Sequence, residues 1–340
     1  MTDAGMMDCK KALTEADGDM DKAVEWLRDQ GMGAAAKKAN KVAAEGSIGM
    51  KVEGKEAVLV EINSQTDFVA QNDKFKEVLS TVVNHAFDQK LPDAEAINAS
   101  TINGEPFAEY LSLQIATIGE KLVVRRSALI VGDENTALNG YVHSNTQNGV
   151  IIAAQCDSAA TAEAMTPILK EIAMHAAAMS PSTLSYKDFD AKFVEEETKG
   201  RIVAIEKENE ELRRLGKTEK NIPQYISMSQ LTEEVLAKAE EALKAELAAE
   251  GKPEKIWDKI LPGKLARFIS DNTTLDQEQC LLDQKFVMDD SKTVAEYIAE
   301  KAKAAGGTAE ISTFTRLEVG EGIEVVEEDF AAEVAAQMGK

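Results

Sequence analysis

Residues 47–69 read SIGMKVEGKEAVLVEINSQTDFV, and this stretch sets the fold class. Ile48, Met50 and Val52 alternate with polar or small neighbours, Gly54 marks a turn, and the return run from Ala57 to Ile62 is almost wholly apolar. A period of two on either side of a glycine predicts a β-hairpin. Beyond Ile62 the chain turns polar through Asn63, Ser64, Gln65, Thr66 and Asp67, yet it carries Phe68 directly behind the acid. Aromatics make up only 5% of the protein, so a phenylalanine in a loop-like setting asks for a purpose. Two stay open from these residues alone: Phe68 folds back onto its own hairpin, or it is held out for a partner to bury.

Working outward, FKEVLSTVVNHAF (75–87) places Phe75, Val78, Leu79, Val82, Val83 and Ala86 on one helical face. EKLVVRRSALI (120–130) supplies a third strand. The same order then returns. NGYVHS (139–144) and NGVIIAAQC (148–156) form a second hairpin, TPILKEIAMHAAAM (166–179) a second helix, and AEISTFTRLEV (309–319) a delayed strand. Thr166 is expected to cap that second helix, with Pro167 in its first turn. Two related β-β-α-β halves, each too thin to bury both faces alone, are expected to pack side by side in an α+β fold.

Residues 6–41 read as two short helices, with apolar steps at Met7, Ala12, Leu13, Ala23, Val24 and Leu27 and a break at Asp17-Gly18-Asp19. The Asp17, Asp19, Asp21 spacing is not a calcium loop, because Lys22 stands where Gly is needed and Arg28 where Glu is needed. AAAKKANKVAA (34–44), ending at Glu45-Gly46, suits a linker helix or hinge. Between the second helix and its delayed strand lies a charged insertion. Ser185 and Asp188 form a capping-box pattern, Ile202, Ile205, Asn209 and Leu212 step as a coiled-coil seam, and Leu236, Leu243 and Leu247 recur in a second arm, 231–251. These predict a protruding antiparallel helical hairpin, with IWDKILPGKLARFI (256–269) as a third segment.

Acids outnumber bases 60 to 38, for a formal charge of -22, which argues against direct binding to nucleic acid, where Lys and Arg neutralise phosphates. Cys9, Cys156 and Cys280 lack disulfide or zinc spacing. No signal-peptide core and no membrane-length apolar run is legible, so a soluble, cytoplasmic protein is expected. Phosphate-cradle, dinucleotide and H-E-x-x-H motifs are missing. His85 and His175 read as structural, His143 lies in a turn where it could serve at a surface, and Glu61 and Asp67 are acids of undefined role. The expectation is a protein that is not an enzyme and carries no cofactor or metal.

Four separated segments carry a resemblance: DAGMMDCKKALTEADGDMDKAVEWLR (3–28), NSQTDFVAQND (63–73), KFVMDDSKTV (285–294) and FTRLEVGEGIEVVEEDFAAEV (314–334). In order and over nearly the whole chain, they resemble the translation elongation factor Ts family. The resemblance implies a guanine-nucleotide exchange factor for elongation factor Tu, without a direct nucleic-acid or membrane role. It implies an N-terminal ubiquitin-associated-like helical module (1–42) and a core of two related antiparallel β-sheet/helix subdomains (46–134; 137–184 with 272–322). An inserted antiparallel coiled-coil hairpin (185–271) and a short C-terminal helical module (323–340) complete it.

By the same resemblance, Thr66, Asp67, Phe68 and Val69 meet the partner near its Mg²⁺ and phosphate site, Phe68 as a wedge and Asp67 disturbing the metal's surroundings. Met6, Met7, Ile118, Gly119, His143, Val287 and Met288 add further contacts. Spacing alone would make the methionines plain core, and the resemblance favours contact. The sequence departs from the family pattern in two places. Family members usually carry an amphipathic helix ahead of GMMDCKKAL, whereas only five residues precede Met6, and the insertion from about Gly200 to Ala249 is longer than usual. The principal rival, from a different class, is a scaffold that tethers proteins through its helical module and coiled coil. A hydrolase working through scattered acids is a distant third.

Overall fold

Gly54, at φ +61°, takes the first of two turn positions between β1 (Glu45–Glu53) and β2 (Glu56–Ser64), a conformation L side chains avoid and hairpins require. The computed structural model describes residues 4–324. The described residues divide into two compact units, 4–177 with 302–324, and Ala178–Lys301.

In the first unit, α1 (Met6–Glu15) and α2 (Met20–Lys38) precede the hairpin. After it come α3 (Asp67–Gln71), α4 (Asp73–Asp88), α5 (Ala94–Asn98), the small ribbon β3 (Thr101–Ile102) and β4 (Glu105–Pro106), α6 (Phe107–Ile118) and β5 (Val123–Val131). β1, β2 and β5 form one antiparallel sheet with β2 in the centre. The near-continuous apolar run of β2 follows from that place, because a central strand covered on both faces has no polar side. Val58, Val60 and Ile62 join the Phe75–Ala86 face of α4, while Ala57 and Leu59 face the other way, toward Ile48, Leu138, Ile151 and Leu317.

β6 (Thr136–Val142), β7 (Asn148–Cys156) and the late β10 (Ala309–Glu318) make the second sheet, again with the second hairpin strand in the centre and the late strand beyond it. The two sheets thus share one topology, and the apolar cluster formed by β1, β2, β5, β6, β7 and β10 lies between them. Packing is tight enough that a Cβ on Gly149 would lie 2.6 Å from Ile48 Cγ2 and 2.9 Å from Leu59 Cδ1.

α7 (Ala159–Met179) corrects the expected helix start. It begins seven residues before Thr166, where Ser158 Oγ accepts from the Thr161 amide at 3.2 Å. Thr166 turns its hydroxyl back to the Ala162 carbonyl at 2.9 Å, and Pro167 lies inside the helix. The burial of Thr161, Ala162 and Met165 sustains a turn that Pro167 deprives of one backbone bond.

The N-terminal helices close on Ala12, Ala16, Ala23 and Leu27, joined by Leu113 of α6. Asp19, the middle acid of the apparent calcium spacing, caps α2 by accepting from the Asp21 and Lys22 amides at 3.1 Å. Met7 and Leu13 do not join this core and are exposed. α2 continues to Lys38, so the Ala/Lys stretch is helix only in its first half.

In the second unit, the Ser185–Asp188 capping box forms, but on a single 3₁₀ turn, and α8 (Ala191–Arg214) starts at its own cap, Asp190. Along the expected seam only Asn209 is fully buried, and its amide is satisfied by the returning chain: it donates to the Lys220 carbonyl at 2.8 Å and accepts from the Lys220 amide at 2.6 Å. The helices that pack as consecutive neighbours are α9 (Glu233–Ala249) and α10 (Trp257–Asp271), turned at Gly251. Lys264 bridges Glu246 and Glu250 across them. α11 (Thr274–Gln279), the ribbon β8 (Lys285–Phe286) and β9 (Asp289–Thr293), and α12 (Val294–Ala304) follow. The expected C-terminal module lies, from residue 325, outside the described residues.

Two measurements probe this packing. Gly149→Ala should overfill the space between the sheets and lower unfolding stability by about 1–3 kcal/mol in a denaturant titration. Burial, then the neighbouring Asp276 carboxylate, push Asp283 up to about 6. A carboxyl raised on folding opposes the fold when ionised, so the penalty is complete above about 6 and fades as pH falls toward its ordinary value. Asp283→Asn should therefore raise the melting temperature at neutral pH, with the gain vanishing near pH ~4; an equal gain at both pH values would contradict this.

Candidate partner-binding site

The polar stretch after β2 is an ordered turn. Thr66, in extended conformation, caps α3, its hydroxyl accepting from the Val69 amide at 3.4 Å. Asp67 Oδ1 accepts from the Phe68 amide at 2.9 Å. α3 has a clear inward side: Ala70 is buried, and Val69 is half-buried against the cluster of β2 and α4. Phe68 points the other way and is 82% exposed, so it does not fold back onto its hairpin.

A residue that sequence reasoning missed organises this turn. Glu120 accepts from the Gln65 amide at 3.1 Å, the Thr66 amide at 3.0 Å and the Thr66 hydroxyl at 2.7 Å. Gln65 answers by accepting from the Lys121 amide at 3.0 Å. The sequence offered only a weak signal, a charged residue after the helix-ending glycine of QIATIGEK; a separation of 54 residues hides the pairing. Gly119, at φ +86°, closes α6 in the left-handed form and is exposed, while Ile118 is half-buried. The structure thus brings the 66–69 turn and the 118–119 turn together through Glu120.

Met6 and Met7 stand on the first turn of α1, 86% and 75% exposed. His143 is exposed in the β6–β7 turn, edge-on to Tyr141, with Nδ1 3.0 Å from Asn145 Oδ1. Val287 and Met288 form the exposed tip between β8 and β9, in the second unit.

The remaining sequence candidates are structural. Burial lowers the His85 pKa against the pull of Asp88, and its Nε2 lies 2.7 Å from Ser100 Oγ. His175 is buried. Burial pushes the Cys280 thiol up to about 12, far from a reactive thiolate. Glu61 is wholly buried, with Arg126 Nε at 2.5 Å, Arg125 Nη1 at 3.2 Å and the Gly320 amide at 2.9 Å. Glu321 completes the knot; burial opposes its charge, but Arg126 and Arg316 hold it below the usual carboxylate range. Among the described residues no cluster of His, Cys, Asp and Glu is placed to hold a metal ion, and no helix is long and apolar enough to cross a membrane.

The fold defines an α+β protein with two three-stranded antiparallel sheets, and Phe68 stands exposed on a turn held by hydrogen bonds. Comparison with known proteins makes the assignment specific. The family model described as Elongation factor TS matches residues 65–222 and 219–321. The Sulfurovum sp. (strain NBC37-1) protein named elongation factor Ts is 86% identical over 338 residues, covering 99% of this chain and 96% of that protein. Namesakes from Campylobacter curvus and Helicobacter hepaticus are 53% and 50% identical, with the same coverage of both chains. The chain belongs to the elongation factor Ts family, a family of translation elongation factors.

Glu61→Ala would leave two guanidinium groups facing an empty buried site. It should cost on the order of 3 kcal/mol or more in unfolding stability, as measured by denaturant titration; a loss within experimental error would show that the knot does not hold the fold.

Proposed function

We propose that this protein is the guanine-nucleotide exchange factor of elongation factor Tu: it binds the GDP-bound GTPase, disturbs the Mg²⁺ and phosphate site, and promotes GDP release during translation elongation in the cytoplasm. The observation that carries this reading is Phe68, 82% exposed on a turn held by Thr66 and Glu120. In the proposed complex Phe68 wedges between partner side chains, Asp67 perturbs the metal's surroundings, and Thr66 and Val69 hold the turn. The factor needs no nucleotide site of its own and carries out no bond chemistry. It acts by linkage, since factor and nucleotide each weaken the other's hold on the GTPase by the same factor.

Magnitudes show why one wedge is not enough. Burying a phenylalanine contributes roughly 1.5–3 kcal/mol, whereas turning a mostly nucleotide-bound population into a mostly free one takes about 5.5 kcal/mol of differential binding. Met6, Met7, Ile118, Gly119, His143, Val287 and Met288 are proposed to supply the rest. Methionine suits such surfaces because its flexible thioether adapts to irregular apolar contacts.

The finer architecture belongs to the same proposal: a ubiquitin-associated-like module at 1–42, related subdomains at 46–134 and at 137–184 with 272–322, a coiled-coil insertion at 185–271 and a C-terminal module at 323–340. The matching strand order of the two sheets supports the relation between subdomains. The packing of α9 on α10 supports a helical hairpin in the insertion.

The rival is a scaffold, which would bind stoichiometrically and leave nucleotide off-rates unchanged. Release of a fluorescent GDP analogue from elongation factor Tu, chased with unlabelled GDP and substoichiometric factor, separates the two. Acceleration with turnover supports exchange, and an unaltered off-rate favours the scaffold. Phe68→Ala should slow release by about tenfold, the equivalent of roughly 1.4 kcal/mol, without abolishing it. Unchanged release would remove the wedge from the mechanism.

A further inference from the structure

α3 has only five residues, too few to hold a helical turn by themselves. Its cap bond from Thr66 is long, at 3.4 Å. What fixes the turn is a reciprocal clamp with the segment after α6. The Glu120 carboxylate takes both amides that lead into α3 together with the Thr66 hydroxyl, and Gln65 takes the Lys121 amide in return. Bonds to an ionised acceptor are roughly twice as strong as neutral ones, so the carboxylate outweighs the cap. Ser64 Oγ adds a bond to the Thr66 carbonyl at 3.0 Å.

The same segment also fastens the N-terminal helices. Lys121 Nζ donates to the Ala39 carbonyl at 2.7 Å and the Lys41 carbonyl at 2.9 Å, just past α2. Lys38 Nζ donates to the Gly119 carbonyl. Arg28 pairs with Glu105 at 3.0 Å and lies 3.8 Å from Glu109, at the other end of α6. Residues 119–121 therefore bind the Phe68 turn on one side and the α2 terminus on the other.

We propose that Glu120 is the positioning residue of the wedge: its carboxylate pre-orders the 65–69 turn so that Phe68 enters the partner without first being immobilised. The inference rests on the exchange reading above. An exposed aromatic on a loose turn would lose conformational freedom on docking, and that loss would subtract from the binding that drives exchange. A turn already clamped in the free factor avoids it. Lys121 and Lys38 extend the same bracing to the helices that carry Met6 and Met7.

The test is a double-mutant cycle on the full chain, read by release of fluorescent GDP from elongation factor Tu at subsaturating factor. Glu120→Ala should slow release on the order of tenfold in the unmutated factor, yet less than twofold when added to Phe68→Ala, because an unpresented wedge and an absent wedge fail alike. Glu120→Gln, which keeps one carbonyl acceptor, should fall between. Backbone amide exchange at Gln65 and Thr66 should quicken in both Glu120 variants while the β2 amides stay protected. A general loss of folded protein would act equally in both backgrounds, so multiplicative effects overturn the proposal, as does unchanged release in Glu120→Ala. If Glu120→Ala fails to fold, Glu120→Gln decides by the same cycle. Should the unmutated factor leave GDP release unaltered, the exchange reading itself falls; if it accelerates release and only the Glu120 cycle fails, the exchange reading stands and the positioning role is lost.

Discussion

The buried Glu61 carboxylate is the constraint on which the first unit depends. It sits near the end of the central strand β2 and meets Arg125 and Arg126 from β5 and the Gly320 amide from the turn after β10. Consecutive strand residues normally point to opposite faces. Here the ladder shifts between Glu61, opposite Arg126, and Ile62, opposite Val124, leaving Arg125 as the extra residue of a bulge. A bulge re-aims side chains, and this one delivers two neighbouring guanidinium groups to one carboxylate. Arg126 reaches on to the Glu318 carbonyl at 2.5 Å and to Glu321 at 2.9 Å, so a strand laid down late in the sequence is tied to the first sheet. A fully buried charge survives in a core only with such complete pairing.

That knot lies a few residues ahead of the turn that presents Phe68. β2 is buried on both faces through Ser64, and the chain leaves it into a turn caught at once by Glu120. The burial of Val69 and Ala70 below α3 then determines which way Phe68 can point. Exposure of a large aromatic is unfavourable for an isolated molecule, and here the core beneath the turn, rather than a partner, enforces it. The proposed wedge is therefore pre-organised by ordinary packing and hydrogen bonding.

Much of this was legible in the residues. The period-two run about Gly54, the α4 face from Phe75 to Ala86 and the returning strand order all appear in the structure, because alternation and helical spacing are local consequences of which face is buried. Reading failed where burial or a backbone partner outweighed a local signal. Thr166-Pro167 looks like a helix start, but burial of Thr161, Ala162 and Met165 carries α7 through it. The Ile202–Leu212 stripe looks like a coiled-coil seam, but Asn209 is claimed by the backbone of Lys220. Glu61 looked like an acid of undefined role until its guanidinium partners came into view.

For this protein the sequence by itself determined the element types, the doubled β-β-α-β order, the odd placement of Phe68 in polar chain and the family resemblance. Each depends on neighbours within a few residues or on motif identity. Only the tertiary structure decided that Phe68 faces solvent, that Glu61 is a buried anchor and that Glu120 holds the turn ahead of Phe68. The first depends on how α3 packs against β2 and α4, the other two on groups 54 to 259 residues apart, and which groups meet is determined by packing of the whole unit, which no local periodicity encodes.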